Sequence, residues 1–244
     1  MNGPAVLGEA PLRHSRRAAV FLAFNAGFID TVGFIGLFGL FTAHVTGNFV
    51  LIGATIVTHN TGVIAKLLAL PTFILAVAVT SLCLRRGRAN RRLAIGCVLA
   101  FQMLLLMAFM AAALLLGPFH GGDQPAAIAT GLIGVLAMAL QNAAARTVFV
   151  EMSPTTVMTG NVTQIVIDLV GLTDKTAPDP AAKTRIAKML PPVIAFGAGA
   201  IGAGLSFVTL GFWCVTIGIV AVFATLFSLV PLDFARAQRD LRHG

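Results

Sequence analysis

Six long apolar segments constrain this chain more than any other feature of its sequence. They lie at about residues 18–41, 63–84, 93–117, 125–150, 190–209 and 211–230. A helix that crosses a membrane needs about 20 mostly apolar residues, and each segment is long enough. Charged residues make up only 11% of the chain, against about 25% in a soluble domain. The sequence therefore excludes an ordinary soluble globule and predicts an all-α polytopic membrane protein with six full transmembrane helices.

Two further apolar segments, at about residues 42–58 and 154–172, are too short to cross a membrane as helices. Each contains Thr-Gly-Asn, formed by Thr46, Gly47 and Asn48 in the first segment and by Thr159, Gly160 and Asn161 in the second. Only about 12 residues after each glycine read as helix, which gives about 18 Å against a hydrocarbon core of about 30 Å. We therefore predict two re-entrant half-helices, whose non-helical legs need to be buried in protein or to line a polar cavity.

The distribution of basic residues predicts the orientation of the chain. Fifteen of the 17 lysines and arginines lie in four clusters: before the first span, between the second and third, before the fifth, and in the C-terminal tail. Basic residues favour the cytoplasmic side, so both short tails, 1–17 and 231–244, are expected there. An even number of crossings then separates the clusters, which makes segment 42–58 enter and leave from outside and segment 154–172 from inside. The alternative is an eight-helix protein with two short tilted spans, which breaks the charge rule.

The two halves of the apolar region can be aligned as an internal repeat. Four stretches correspond in the same order, with offsets from 113 to 120 residues: 23–32 with 139–148, 44–48 with 157–161, 70–74 with 190–194, and 97–98 with 214–215. Nearly constant offsets indicate a repeated unit, here 18–117 and 125–230 within a single membrane domain over 1–244. Each unit has three crossings, so the second is predicted to be inverted. Inverted repeats with discontinuous helices are typical of transporters and channels.

The Thr-Gly-Asn sequences are the first candidate site. Threonine is a favoured helix N-cap and glycine allows a sharp turn, so each half-helix would point its free N–H groups at the membrane centre. Asn48 and Asn161 add amide groups, and we expect the two helix ends to face each other near the midplane. Such a centre suits an anion, a carbonyl or water. The alternative is that these residues only cap buried helix ends.

Titratable residues inside the apolar segments are the second candidate. Asp30 lies about 18 Å along the first helix, where a carboxylate is costly and marks a functional site by default. Arg146 is its counterpart in the repeat and could either pair with Asp30 or extend to the cytoplasmic surface. His44, in the leg before Thr46, could accept protons near neutral pH or simply pack against its neighbours. A structural role for Asp30 is an equal alternative to a transport role.

Uncharged polar residues extend the expected path. Asn25, Gln141 and Asn142 lie within about two helical turns of the midplane and could line a polar route. Asp168 is interpreted as a vestibule residue or a surface charge. Small residues allow close helix packing, and the fifth span carries several glycines: Gly197, Gly199, Gly202 and Gly204.

Four stretches carry a resemblance to a known family: Gly27 to Asp30, Thr42 to Asn48, Gln141 to Arg146, and Thr156 to Asn161. Together they resemble the YoaK-type family of bacterial inner-membrane proteins, over about residues 18–230. The resemblance implies a multi-pass protein of the bacterial inner (cytoplasmic) membrane. It implies little about activity, because the function of that family is uncharacterised.

These features predict a membrane transporter or channel for a small polar or anionic solute, with proton coupling as an option. The expected partners are the lipid bilayer and the solute, without nucleic acid, and the glycine-rich span could support a homo-oligomer. We expect no enzyme, cofactor or metal site, because the sequence lacks the usual hydrolase, nucleotide and zinc motifs. The alternative is a non-transport membrane scaffold or regulatory subunit.

Overall fold

The computed structural model describes residues 9–58, 61–86, 91–173 and 179–229, and the predicted tail 231–244 lies outside them. The regular structure within these ranges is helical, without strands. The helices are α1 (Glu9–Gly36), α2 (Gly47–Thr58), α3 (Val63–Arg86), α4 (Arg91–Leu116), α5 (Pro125–Thr147), α6 (Thr159–Gly171), α7 (Ala182–Leu210) and α8 (Val215–Leu229). A 3-10 turn, Gly211–Cys214, joins the last two. The all-α prediction is therefore confirmed for the described chain.

Five helical stretches of the described chain are long and apolar enough to cross a membrane. They are Arg16–Gly36, Val63–Arg86, Leu93–Leu116, Pro125–Thr147 and the 48-residue stretch Ala182–Leu229. Gly47–Thr58 is a shorter apolar helix. These lengths fit a polytopic membrane protein. The number of crossings stays a prediction, because the last stretch contains both of the expected final spans.

Helices α1 and α7 run parallel and their backbones touch. A Cβ atom at Gly27 would lie 2.2 Å from the backbone oxygen of Phe196, and one at Gly199 would lie 2.2 Å from that of Phe24. At the start of both helices, an Arg16 guanidinium nitrogen donates to the carbonyl of Ala187. Any side chain larger than hydrogen at either glycine would push the helices apart.

The chain reverses between α7 and α8. Gly211 has a φ of 52°, a conformation that glycine adopts more readily than other residues. Phe207 before the turn and Phe212 after it both lie against Gly36, at the end of α1. Further along α8, Gly218 lies against Asn25. Helix α8 therefore runs back along α1, antiparallel to α7.

The end of α1 and the starts of α3 and α5 meet at one end of the molecule. The Asp123 carboxylate, directly before α5, accepts hydrogen bonds from the backbone N–H groups of Gly62 and Ile64, both at 2.8 Å. The Lys66 ammonium donates to the carbonyl of Phe38 at 2.8 Å. The chain between Phe38 and Gly62 therefore leaves and returns at the same end.

The packed helix pairs follow a regular exchange pattern. Helix α1 packs on α7 and α8, while α5 packs on α3 and α4. Helix α2 packs on α3, α6 on α7, and α4 on α8. Exchanging α1 to α4 with α5 to α8 leaves this set of pairs unchanged. The pattern agrees with two similar halves, and their inversion across a membrane stays a prediction.

Much of the outer surface is apolar. Val208 is 87% exposed, Leu115 81% and Val50 75%, and these residues come from three different helices. A soluble protein rarely exposes large apolar side chains from so many helices. Lipid tails would cover these side chains without cost, which agrees with a membrane protein.

Candidate functional site

Asp30 anchors the irregular leg, residues 37–46, that joins α1 to α2. Its side chain is buried, and its Oδ1 accepts hydrogen bonds from the backbone N–H groups of Thr42 at 2.8 Å and Ala43 at 2.7 Å. Its Oδ2 lies 2.6 Å from Nδ1 of His44. Successive backbone N–H groups that converge in this way form an anion site, and here the chain supplies the anion. The carboxylate thus fixes the leg beside the last two turns of α1.

His44 forms a carboxylate–imidazole pair with Asp30. Its side chain is 32% exposed, and the ring lies edge-on to Phe196 with 5.5 Å between the centroids. In the part of the chain that the structure describes, Nε2 of His44 makes no hydrogen bond. A histidine held at one nitrogen by a carboxylate can donate, accept or carry a proton at the other. The sequence placed both residues in the site, and the structure joins them.

Asn48 clamps the start of α2 to the leg. Its Oδ1 accepts from the backbone N–H of Phe41, and its Nδ2 donates to the carbonyl of the same residue, both at 2.9 Å. The side chain is 1% exposed. Its amide is therefore satisfied within the chain, as the capping alternative predicts.

The second Thr-Gly-Asn sequence repeats part of this clamp. Nδ2 of Asn161 donates to the carbonyl of Pro154 at 3.0 Å, seven residues earlier, as Asn48 does to Phe41. The residue before α6 is Met158, and it makes no side-chain capping bond. The prediction of a threonine N-cap is wrong here, because Thr159 already lies inside the helix and is exposed.

The glycines and threonines of the two sequences differ in their surroundings. A Cβ atom at Gly47 would lie 3.1 Å from the Phe41 ring, whereas one at Gly160 would meet nothing within 4 Å. Thr46 is exposed, as is Thr159. A substitution would therefore press on a neighbouring ring only in the first sequence.

Asn25 and Gln141 meet in the core. Nδ2 of Asn25 donates to Oε1 of Gln141 at 2.9 Å. These residues are aligned with each other in the predicted repeat, and positions related by a two-fold axis meet only near that axis. Gln102 of α4 also donates to Gln141 Oε1 at 2.6 Å, and Gln141 donates to the carbonyl of Leu22 at 2.8 Å. The pair is buried, so it serves as a packed polar cluster.

The starts of α2 and α6 both approach Phe196. Helices α2 and α6 are not among the packed pairs of the described chain. Met158, before α6, packs with Ala23, and Phe196 packs against that group while also meeting the His44 ring. Ala23 and Asp30 are about 10 Å apart along α1. The two ends therefore lie about two helical turns apart along α1, and their direct facing near the midplane stays a prediction.

Arg146 and Asn142 take no part in the Asp30 site. Arg146 is exposed near the end of α5, and the bonds of Asp30 go to the leg and His44 instead. Asn142 is half-buried beside Gln141. The described side chains contain no group of three His, Cys, Asp or Glu residues that could hold a metal ion.

Comparison with known proteins decides the family. Residues 18–228 match the family described as "Protein of unknown function (DUF1275)". The chain belongs to this family. It is also similar to the UPF0700 transmembrane protein YoaK of Bacillus subtilis (strain 168), with 30% identity over 154 residues. That match covers 62% of this chain and 65% of YoaK, so it spans slightly less than two thirds of the relative. No solved structure matches.

Family membership confirms the resemblance drawn from the motifs. Together with the apolar helices, the transmembrane relative makes this DUF1275 chain a multi-pass membrane protein. Neither the family description nor the name of the relative states a solute, a reaction or a partner.

The sequence motifs did not predict the two ion pairs that Arg185 forms in this DUF1275 chain. Asp168 is buried, and Arg185 binds it through Nε at 3.0 Å and through a terminal nitrogen at 2.5 Å. Arg185 also binds Asp179 at 2.6 Å, which holds the pKa of that carboxyl below its ordinary value. The interpretation of Asp168 as a vestibule residue or a surface charge did not include this pairing with Arg185. Lys66 was also missed, because a single lysine near a helix start resembles an ordinary surface residue.

Proposed function

We propose that this chain is a transporter or channel for a small polar or anionic solute in the bacterial inner membrane, with both termini in the cytoplasm. The solute path runs past Asp30 and His44, and proton coupling through this pair is part of the proposal. Catalysis, cofactors and nucleic acid have no part in it.

The arrangement of helix ends supports six crossings. Basic side chains lie at the start of α1, the end of α3 and the start of α7, and they include Arg16, Arg85 and Lys183. The opposite end carries the Asp123 loop, and basic residues favour the cytoplasm. With α7 and α8 antiparallel, the chain crosses six times in this proposal. Helix α2 then enters from outside and α6 from inside, as an inverted repeat requires.

The pair of buried Asp30 with partly exposed His44 is the observation that carries the proposal. A carboxylate inside a membrane is costly and is retained mainly where it has a function. The bonds to the leg account for Oδ1 of Asp30. Holding the leg in place does not explain why an imidazole lies on Oδ2, or why Nε2 of that imidazole makes no hydrogen bond within the described residues. That nitrogen could bind a solute oxygen or carry a proton.

Phe196 is the proposed barrier on the path. Its ring contacts the His44 ring and also packs against the group that contains Met158, which supports a position between the two legs. Phe24 and Phe28 stack beside this region with 5.7 Å between their centroids. A band of aromatic rings between two inward-reaching legs would block free diffusion and could open by side-chain rotation.

Uptake into proteoliposomes tests the proposal. The purified chain would be given labelled acetate, succinate, glutamate, phosphate and glycerol, with and without an inward proton gradient. We expect uptake of at least one solute above the level of empty liposomes. Asp30→Asn and His44→Gln should reduce that uptake to background, since each removes the titrating pair.

The matched control is His120→Gln, which changes an exposed histidine in the loop before α5. It should leave uptake unchanged. The proposal fails if none of the five solutes enters, or if His44→Gln transports as the unmodified chain does. In the second case Asp30 would be a structural anchor only.

A further inference from the structure

A second polar site lies at the opposite end of α1 from the Asp123 loop. A cavity of ≈360 Å³ opens between the start of α1, the segment after α5 and the start of α7. The polar side chains that line it are Arg16, Glu151, Ser153, Lys183, Thr184 and Lys188. None of these belongs to the Asp30 site or to the Thr-Gly-Asn sequences.

The charge of the lining favours an anion. Three cationic side chains, Arg16, Lys183 and Lys188, line the cavity together with one carboxylate, that of Glu151. Neither lysine forms an ion pair within the described ranges, whereas nearby Arg185 is fully engaged by two aspartates. An arginine with two lysines and hydroxyl groups is the usual set of donors for a phosphate group.

Ser153 is the observation that points to a ligand. It is only 4% exposed, and its buried Oγ has no hydrogen-bond partner among the residues that the structure describes. A buried hydroxyl that lacks a partner costs about 1–3 kcal/mol, so one is seldom retained without a reason. The next residue, Pro154, is held by Asn161, which fixes the serine in place at the cavity wall.

We propose that this cavity binds a phosphate group, with Lys183 and Lys188 supplying charge and Ser153 a buried hydrogen bond. The volume lies within the range of about 300–1,000 Å³ typical of small-molecule sites. It exceeds what a bare phosphate ion fills, which favours a phosphate carried on an organic group. That group is either a soluble phosphate ester or the headgroup of an anionic lipid. The proposal stands whether or not the chain is a transporter.

Thermal unfolding of the full chain in nanodiscs of phosphatidylcholine tests the site. The probes are inorganic phosphate, glycerol 3-phosphate and dioctanoyl phosphatidylglycerol. A bound probe raises the unfolding temperature in a saturable way, which yields a Kd. We expect saturation with at least one probe, and a Kd weakened by about tenfold or more in the double variant K183A/K188A.

The matched control is the double variant R85A/R86A. It removes two exposed basic residues at the end of α3, which lie at the same end of the molecule but do not line the cavity. Its Kd should stay within about twofold of the unmodified chain. Ser153→Ala should weaken binding as well, without lowering the unfolding temperature in the absence of probe, because its hydroxyl has no partner within the described ranges.

Saturation by the soluble phosphates supports a soluble ligand, and saturation by the lipid alone supports a headgroup site. Two results would overturn the proposal. One is the absence of a saturable shift with all three probes. The other is an equal loss of binding in both double variants, which would show attraction to net charge alone.

Discussion

At the scale of single residues, Asn48 illustrates how a motif residue can serve the fold. Its side-chain amide hydrogen-bonds both the backbone N–H and the backbone carbonyl of Phe41, which would otherwise need backbone partners. Inside a membrane no water is available to satisfy those groups. We predict that Asn48→Ala destabilises the chain by about 2–4 kcal/mol, since two buried backbone groups would lose their partners. Denaturant unfolding in detergent would measure the loss.

The control for this change is Asn142→Ala, an asparagine that is half-buried in α5. It makes no side-chain hydrogen bond within the described residues, so its loss should cost about 1 kcal/mol or less. Equal destabilisation by the two substitutions would contradict the clamp.

The polar interior residues could be identified from the sequence, but their partners could not. Asp30 and His44 were singled out because titratable groups are rare in apolar segments. Their contact depends on the path of the leg between them, which has no periodic pattern to read. The same limit made Arg146 a candidate partner of Asp30, although its position near the helix end favours exposure.

At the scale of helices, the α1–α7 contact depends on two glycines among many. A Cβ atom at Gly199 would lie 2.2 Å from a backbone oxygen, whereas one at Gly197 or Gly202 would meet nothing within 4 Å. We predict that Gly199→Ala destabilises the chain by about 1–3 kcal/mol through overpacking. Gly197→Ala and Gly202→Ala should leave stability unchanged or raise it by up to about 1 kcal/mol, because alanine favours helix. Unfolding in detergent would compare the three.

A loss of stability in all three glycine variants would mean that the close contact is not specific to Gly199. The sequence predicted close packing for the whole run of glycines, because the small-residue pattern is the same at each position. The face of α7 that meets α1 depends on how α7 is rotated about its axis. Only the three-dimensional packing determines that rotation. The starts of the two short helices were easier to predict. Helix α2 begins at the glycine of its motif, Gly47, and α6 begins one residue before the glycine of its motif, at Thr159.

At the scale of the whole molecule, the orientation of the two halves is open to a direct test. Thr58 ends α2 and Thr173 follows α6, and both are exposed. In a chain lacking Cys83, Cys97 and Cys214, Thr58→Cys should react with an impermeant thiol reagent from outside. Thr173→Cys should react only after the membrane is opened. Labelling of both positions from one side would contradict the inverted arrangement.

The positive-inside rule and the repeat alignment both predict this topology, because both act over the whole chain. The helix pairs themselves needed the structure, since apolar spans of similar composition can pack in many orders. The exchange pattern among the eight helices arises from such pairs.

The pairing of α1 with the last two helices has a consequence for how the protein is made. Arg16 and its partner Ala187 are 171 residues apart, and synthesis adds about 5–20 residues per second. The first helix to leave the ribosome therefore waits roughly 10–35 s for its principal neighbour. During that interval the nearby leg already supplies hydrogen bonds that shield the Asp30 carboxylate from lipid. The hydrogen bonds between Asp30 and the leg thus stabilise the nascent chain before the full helix bundle has formed. Their loss should therefore impair membrane insertion before it impairs the folded protein.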